Sequence, residues 1–512
     1  MIGQHLMGGF EGYTLHTDFV EAIKRYKIAN VILFSRNIAD AQQLLELTSQ
    51  IHELVKEETG YPALIGIDQE GGMVGRLSKD CTTVPSPMAL CAIGDERASR
   101  MAGIITGREL NALGINVDFA PVLDVNTNAN NPVIGVRSFS DDPALVGRFG
   151  MSMAEGLQQE GVIAVGKHFP GHGDTHLDSH LHLPSIRGSL ASIDDHLKPF
   201  RMCTTGGISG IMSTHILFPD IEKQDLPATL SRYFMTDVLK KEYGFKGLVF
   251  SDCMEMEAIS DKYQTVKASV QAIQAGIDVV LVSHTISSLC ESAKAIDAAL
   301  ENGLLDSQEL EQSTQKILLA KAMLSTMTIQ RSSCIGSPLH RRLNQQLFQR
   351  SLSMVNDASF LLGPAPLFTG PDRFSIGKVS SDEGPLSFAL RMQALVGGNA
   401  FVLTSNPTLD EIQQLEELAK SASSIVVATF DAHQQKNQFL AIRSLKRIGK
   451  PVLVVSMGNP YELGLLDRSV SSIAAYSYRE EVLVSLAKML KEDLVCEGTL
   501  PVSLTTANQP AI

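Results

Sequence analysis

Between Lys167 and Pro184 the chain reads Lys-His-Phe-Pro-Gly-His-Gly-Asp-Thr-His-Leu-Asp-Ser-His-Leu-His-Leu-Pro. Five histidines, two aspartates and a lysine crowd this one segment. Pro170, Gly171 and Gly173 break its first half, so no continuous helix runs through it. Asp178-Ser-His180 sets a carboxylate close to an imidazole. Such a carboxylate fixes the ring's tautomer and raises its pKa, which suits a proton shuttle. The plainer alternative is a solvated loop histidine beside a turn-forming aspartate. Asp252, in Phe250-Ser-Asp-Cys-Met-Glu-Met256, directly follows an apolar run. A carboxylate at a strand end can act as a nucleophile or stabilise positive charge, and its plainer alternative is a helix N-cap.

Two further segments could hold a polar substrate. In Asp68-Gln-Glu-Gly-Gly-Met-Val-Gly-Arg76 the paired glycines allow close backbone approach, and Asp68 and Arg76 could grip hydroxyls. The alternative there is an N-cap and a salt bridge. Arg137, in Gly135-Val-Arg-Ser-Phe139, could bind a substrate or pair with Asp141 or Asp142. His168, His172, His176 and His180 recur every four residues, as ligands along one helix face would. The helix is broken, HExxH is absent and Lys167 would repel a cation, so we expect no metal and no other cofactor. Cys253 reads as a small packing residue, with nothing beside it to activate a thiol.

These groups need a scaffold that brings them together. Apolar runs at Ile2–Phe10, Asn30–Phe34, Ala63–Ile67, Asn116–Pro121, Val162–Gly166, Ile208–Ser213, Gly247–Ser251 and Asp278–Ser283 alternate with helical patterns such as Ala41–Glu58, Arg97–Leu113, Leu145–Gln159 and Ser189–Thr205. Eight strand–helix units predict an α/β fold whose N-terminal part, residues 1–327, is a (β/α)8 barrel. A doubly wound open sheet is the alternative, but no GxGxxG opens the first turn. Asp68, Asp124, Lys167, His168, His215, Asp252 and His284 all stand at or just after the ends of these runs. A barrel would converge them on one face, whereas an open sheet would spread them along an edge. Residues 328–344 read as a linker. Runs at Ala400–Thr404, Ser424–Thr429 and Pro451–Ser456, with helical segments Leu409–Ala422 and Gln435–Ile448, predict a smaller α/β sandwich domain over 345–512, to which no chemistry is assigned.

Composition bounds the function. The chain has 512 residues, 44% hydrophobic and 19% charged, which fits a globular enzyme of two domains. Forty-three basic against 56 acidic residues leave a net charge of −13, a poor match to nucleic acid or anionic membranes. Seven scattered cysteines form no CxxC pair and suggest free thiols in a reducing compartment. The N-terminus lacks a basic head and a long apolar core, so it reads as a first strand, and a cytoplasmic protein is expected. The oligomeric state is not legible.

Together these motifs resemble glycoside hydrolase family 3, in its β-N-acetylglucosaminidase branch. The resemblance rests on Asp68-Gln-Glu-Gly-Gly, Asp118-Phe-Ala-Pro-Val-Leu-Asp124, Arg137-Ser-Phe139, Lys167-His-Phe-Pro-Gly-His-Gly173, Asp178-Ser-His180 and Ser251-Asp252. It implies Asp252 as nucleophile, His180 as general acid and then base, and Asp178 as its orienting partner. It implies sugar contacts from Asp68, Arg76, Arg137, Lys167 and His168. The implied substrate is a small carbohydrate carrying a terminal β-N-acetylglucosamine, from cell-wall recycling or chitin fragments. Two alternatives stay open: a phosphorylase on the same fold, because a neutral histidine base repels phosphate less than a carboxylate, and a β-glucosidase of the same family. In one departure, Met73 stands where the branch usually has an arginine.

Overall fold

The computed structural model describes residues 2–175, 183–327, 330–372 and 386–504. Eight parallel strands close into a barrel in sequence order: β1 (Leu6–Gly8), β2 (Asn30–Leu33), β3 (Leu64–Ile67), β4 (Val117–Asp118), β5 (Ile163–Phe169), β6 (Gly210–Ser213), β7 (Leu248–Cys253) and β8 (Val279–Val282), with β1 pairing both β2 and β8. The first apolar run is only partly strand, since Ile2–His5 form a 3-10 turn. Gly3 there lies against the backbone of Lys27, where a Cβ would meet the Lys27 carbonyl oxygen at 1.9 Å.

Strand alternation sorts the side chains into two layers. Ile32 of β2 and Val279 and Leu281 of β8 fill the barrel interior, while Val31, Leu33, Val280 and Val282 join the core shared with the outer helices. Phe119 and Phe250 meet edge-on inside at 5.5 Å between centroids. Gly66 makes room for them, because a Cβ there would lie 2.8 Å from the Phe119 ring. Ile317, Ala320 and Leu324 of helix Ser307–Ser325 pack on this interior cluster and plug the end opposite the C-termini of the strands. The open end is therefore the one where the strands' polar C-terminal residues stand.

A second sheet follows, built from β9 (Ser353–Asn356), β10 (Pro366–Pro371), β11 (Asn399–Leu403), β12 (Ser424–Thr429), β13 (Val452–Ser456) and β14 (Ser471–Ala474). Its order is β11-β10-β12-β13-β14-β9, parallel except for β9 at one edge. Helices Phe388–Val396, Leu409–Lys420, Asn437–Arg447 and Glu480–Glu492 cover it, making a layered α/β domain. Helix Pro338–Ser351 touches both parts: its Phe348 joins the second domain's core, and its His340 meets Glu109 of the barrel at 2.7 Å. The two cores are continuous, because Met73, Met88, Ala89, Ala92 and Val136 of the barrel loops pack into the second domain's apolar cluster. No helix among the described residues is long and apolar enough to cross a membrane.

Candidate active site

The open end of the barrel holds a cavity of about 440 Å³, lined among others by Asp68, Glu70, Arg76, Arg137, Lys167, His168, Asp252 and His284. Among the described residues its lining comes entirely from the barrel. These groups arrive from five strand ends or the loops after them: Asp68, Glu70 and Arg76 from β3, Arg137 from β4, Lys167 and His168 from β5, Asp252 from β7 and His284 from β8, so strand closure does what sequence proximity cannot.

The charge at its base is arranged around Glu70. Lys167, in β5, places Nζ 2.7 Å from Asp68 Oδ1 and 2.7 Å from Glu70 Oε1. Arg137 grips Glu70 with both prongs, Nε to Oε2 and Nη2 to Oε1, each at 2.8 Å. Burial pushes the Glu70 carboxyl up, but Arg137 and Lys167 outweigh it and hold Glu70 well below the usual carboxylate range. Burial likewise pulls Lys167 down, and Asp68 and Glu70 more than restore it, so the amine stays charged. Arg137 thus pairs with neither Asp141 nor Asp142. Asp142 instead caps helix Pro143–Gln159 through the Ala144 and Leu145 amides.

A second unit orients His168. Its Nδ1 lies 2.7 Å from Asp124 Oδ2, and Asp124 Oδ1 accepts the backbone N–H groups of His168 (3.2 Å) and His172 (2.7 Å). Burial works against the Asp124 charge, but His168 and these contacts keep its pKa below the ordinary value. An ionised Asp124 accepts a hydrogen bond from His168 Nδ1–H, which leaves Nε2 to the cavity. His172 sits edge-on to His168, and burial pushes its pKa down to about 4, so its ring is neutral. His172 Nδ1 meets Thr175 Oγ1 at 2.9 Å. His168 and His172 therefore have protein partners at Nδ1, and neither Nδ1 is open to a metal.

Asp252 lies within β7, and its Oδ1 accepts the Cys253 N–H at 2.7 Å. It is not a helix cap, because the next helix starts at Glu257 behind Met256. His215 does not line the cavity. Its Nε2 approaches the Cys253 carbonyl at 3.0 Å and its Nδ1 meets Thr229 Oγ1, which steadies the strand end carrying Asp252. Burial drives the Cys253 thiol up to about 11, so it carries no thiolate. Arg76 is placed by its own N–H, which donates to Gln69 Oε1 at 2.8 Å. Its buried Nε makes no hydrogen bond, which leaves a donor for a ligand in the cavity. Asp178 and His180 lie outside the described residues.

Sequence reasoning missed Glu70 and the rim. Glu70 stands two residues after Asp68 in the motif already singled out, but only burial reveals that it, rather than Asp68 alone, carries the two cations. At the rim, Arg36 lies over the Phe34 ring at 4.3 Å and pairs with Glu11 at 2.9 Å, while Phe34 stacks on His284 at 5.6 Å. The whole arrangement offers donors, acceptors and fixed charge of both signs around a carboxylate at a strand end. That set suits a polyhydroxylated ligand and charge developing beside Asp252.

Comparison with known proteins agrees with this chemistry. Residues 2–320 match the glycosyl hydrolase family 3 N-terminal domain. The chain is 30% identical to beta-hexosaminidase A of Pseudoalteromonas piscicida, across 98% of this chain and 96% of that one. It is 37% identical to a beta-hexosaminidase of Alkalilimnicola ehrlichii, across 58% of this chain and 83% of the relative. Its fold matches that of a glycoside hydrolase family 3 beta-N-acetylglucosaminidase from Paenibacillus sp. str. FPU-7, with a TM-score of 0.90, 34% identity and 99% of both chains covered. On the barrel, the cavity and these relatives together, the chain belongs to glycosyl hydrolase family 3.

Proposed function

We propose that the protein is a retaining exo-β-N-acetylglucosaminidase. The observation that carries this reading is Asp252 at the C-terminal end of β7, facing a cavity whose other polar groups suit a sugar ring. The beta-hexosaminidase and beta-N-acetylglucosaminidase relatives support the substrate class. In the first step an Asp252 oxygen attacks the anomeric carbon as the glycosidic bond breaks. His180 gives its proton to the leaving oxygen, and Asp178 holds the ring in the tautomer that does so. In the second step His180 takes a proton from water, the water oxygen attacks the anomeric carbon, and Asp252 leaves. Lys167 and Asp68 hold sugar hydroxyls, with Arg76 as a further donor and His168 Nε2 as an acceptor, while Arg137 acts through Glu70 by fixing where Lys167 stands. The source of the substrate is a cell-wall muropeptide or a chitin fragment.

The test is turnover of an aryl β-N-acetylglucosaminide beside the aryl β-glucoside, with and without phosphate, with products identified. Free N-acetylglucosamine at a phosphate-independent rate is expected. Sugar-1-phosphate would overturn hydrolysis in favour of phosphorolysis, and activity on the glucoside alone would overturn the substrate class. Asp252→Asn should form no covalent adduct with a slow fluorosugar substrate while keeping the wild-type melting midpoint. Substantial residual turnover in that variant would remove Asp252 from the role.

A further inference from the structure

Far from Asp252 in sequence, three ligating side chains of the second domain meet. Asp431 and His433 lie in the loop after β12, and Glu462 lies in the short helix Pro460–Leu465 after β13. Both segments leave the C-terminal ends of adjacent parallel strands, the edge at which open α/β sheets carry ligands. One ligand atom from each residue lies within 4.8 Å of the others.

Two details separate this cluster from an ordinary ion pair. His433 Nδ1 and Glu462 Oε2 are 3.5 Å apart on side chains only 8% and 1% exposed. Beyond this ion pair neither atom has a hydrogen-bond partner. The spacing is that of two ligands on one small cation, since bonds of about 2.0–2.1 Å at a tetrahedral angle put ligand atoms roughly 3.4 Å apart. The remaining oxygens are already held from outside, as partners behind metal ligands are. Glu462 Oε1 accepts from Thr429 Oγ1 (3.0 Å) and Ser456 Oγ (2.7 Å), and Asp431 Oδ1 accepts from Asn459 Nδ2 (3.0 Å).

We propose that Asp431, His433 and Glu462 bind a divalent first-row transition cation of the Zn²⁺ class, at a site separate from the barrel cavity. An imidazole with two carboxylates selects such an ion over Mg²⁺ or Ca²⁺, which take all-oxygen shells. The position implies a role at the domain junction. Asn126 Nδ2 donates to the Tyr461 hydroxyl at 2.5 Å, and Asn459 presses on Gly135, where a Cβ would lie 2.2 Å from Asn459 Oδ1. The cation would tie together the two second-domain loops that hold barrel residues 126–135. That stretch supports the catalytic face, because Asn131 Nδ2 donates to the His172 carbonyl at 2.9 Å and Val133 O accepts from Arg137.

The test uses the full chain, stripped with chelator and then given ZnCl2 alone. Bound metal is counted by mass spectrometry after desalting, and the melting midpoint is recorded with and without ZnCl2. The wild type should retain Zn²⁺ and melt higher with it. His433→Gln and Glu462→Gln should each bind one equivalent less and lose the melting shift, while His180→Ala, in the histidine-rich sequence Lys167–Pro184, should keep both. Unchanged zinc content in both second-domain variants, or loss of the equivalent in His180→Ala alone, would overturn the proposal. So would displacement of the bound Zn²⁺ by equimolar CaCl2. None of these readouts depends on glycosidase activity.

Discussion

Replacing Glu70 by glutamine changes almost no volume and removes one charge, which makes it the sharpest test of how the cavity is held. Glu70 is 1% exposed and receives three charge-assisted contacts, two from Arg137 and one from Lys167. A glutamine offers one oxygen and one NH2 group. However it turns, its NH2 faces a guanidinium or ammonium donor, so at least one contact becomes donor against donor. Arg137 and Lys167 are both buried, and Asp68 is then the nearest remaining counter-charge, held by Lys167. Removing one partner of a buried ion pair costs about 3–5 kcal/mol, because the other charge stays behind unpaired. Urea denaturation of Glu70→Gln should show a loss of that size at an unchanged slope. Placing the change on an Arg137→Met background should shrink it, with a coupling of about 0.5–3 kcal/mol, since one of the two stranded charges is already gone. Turnover should fall by about 100-fold as Lys167 shifts toward Asp68 and misplaces a sugar hydroxyl. A loss under about 1 kcal/mol that adds simply to that of Arg137→Met would refute this account of the buried network.

The other predictions also concern buried charge. His172 is neutral in the folded protein with a pKa of about 4, against an ordinary 6.5. Between those values the unfolded chain binds a proton that the folded chain does not, so stability should fall by about 3 kcal/mol as the pH drops through that window. Urea titrations from pH 7 to 4 check this, and a His172→Gln variant should lose that part of the slope. Lys321 is fully buried against Gln4 Oε1 and the Ala29 carbonyl, with its pKa pushed down to about 7 by burial. Its charging costs the folded state below that pH. Lys321→Met should therefore stabilise the protein by about 1–4 kcal/mol at pH 6, with the gain shrinking as pH rises from 7 toward 10.5; a pH-independent change in melting midpoint would contradict this. Met73 is 3% exposed in the core that joins the two domains, so Met73→Arg should cost at least about 2 kcal/mol in the same denaturation assay.

The barrel was legible because its strands lie in apolar runs, and the runs from the third onward end in or lead into a polar residue. Asp68, Lys167, His168, Asp252 and His284 reach the cavity as that pattern predicts. The second sheet was half legible, for reasons of composition. β11, β12 and β13 follow apolar runs, but β10 starts and ends in proline and contains Gly370, while β9 (Ser-Met-Val-Asn) and β14 (Ser-Ser-Ile-Ala) are short and half polar. Such segments become strands only because neighbours supply the pairing. The sandwich was predicted from three of its six strands.

Within the site, residue types were readable and partners were not. Arg137 had aspartates four and five residues away, yet it bridges 67 residues back to Glu70. The local aspartates are taken by backbone donors: Asp142 caps a helix, and Asp141 Oδ2 accepts the Ser503 N–H of the second domain. A guanidinium buried by barrel closure then finds its strongest partner in whichever carboxylate closure buries beside it, and sequence distance has no part in that choice. The same reasoning applies to Asp431, His433 and Glu462. The span of about thirty residues between the first and the last matches no ligand motif, but two adjacent parallel strands, β12 and β13, end side by side. A constellation made by strand register can be seen only once the register is known.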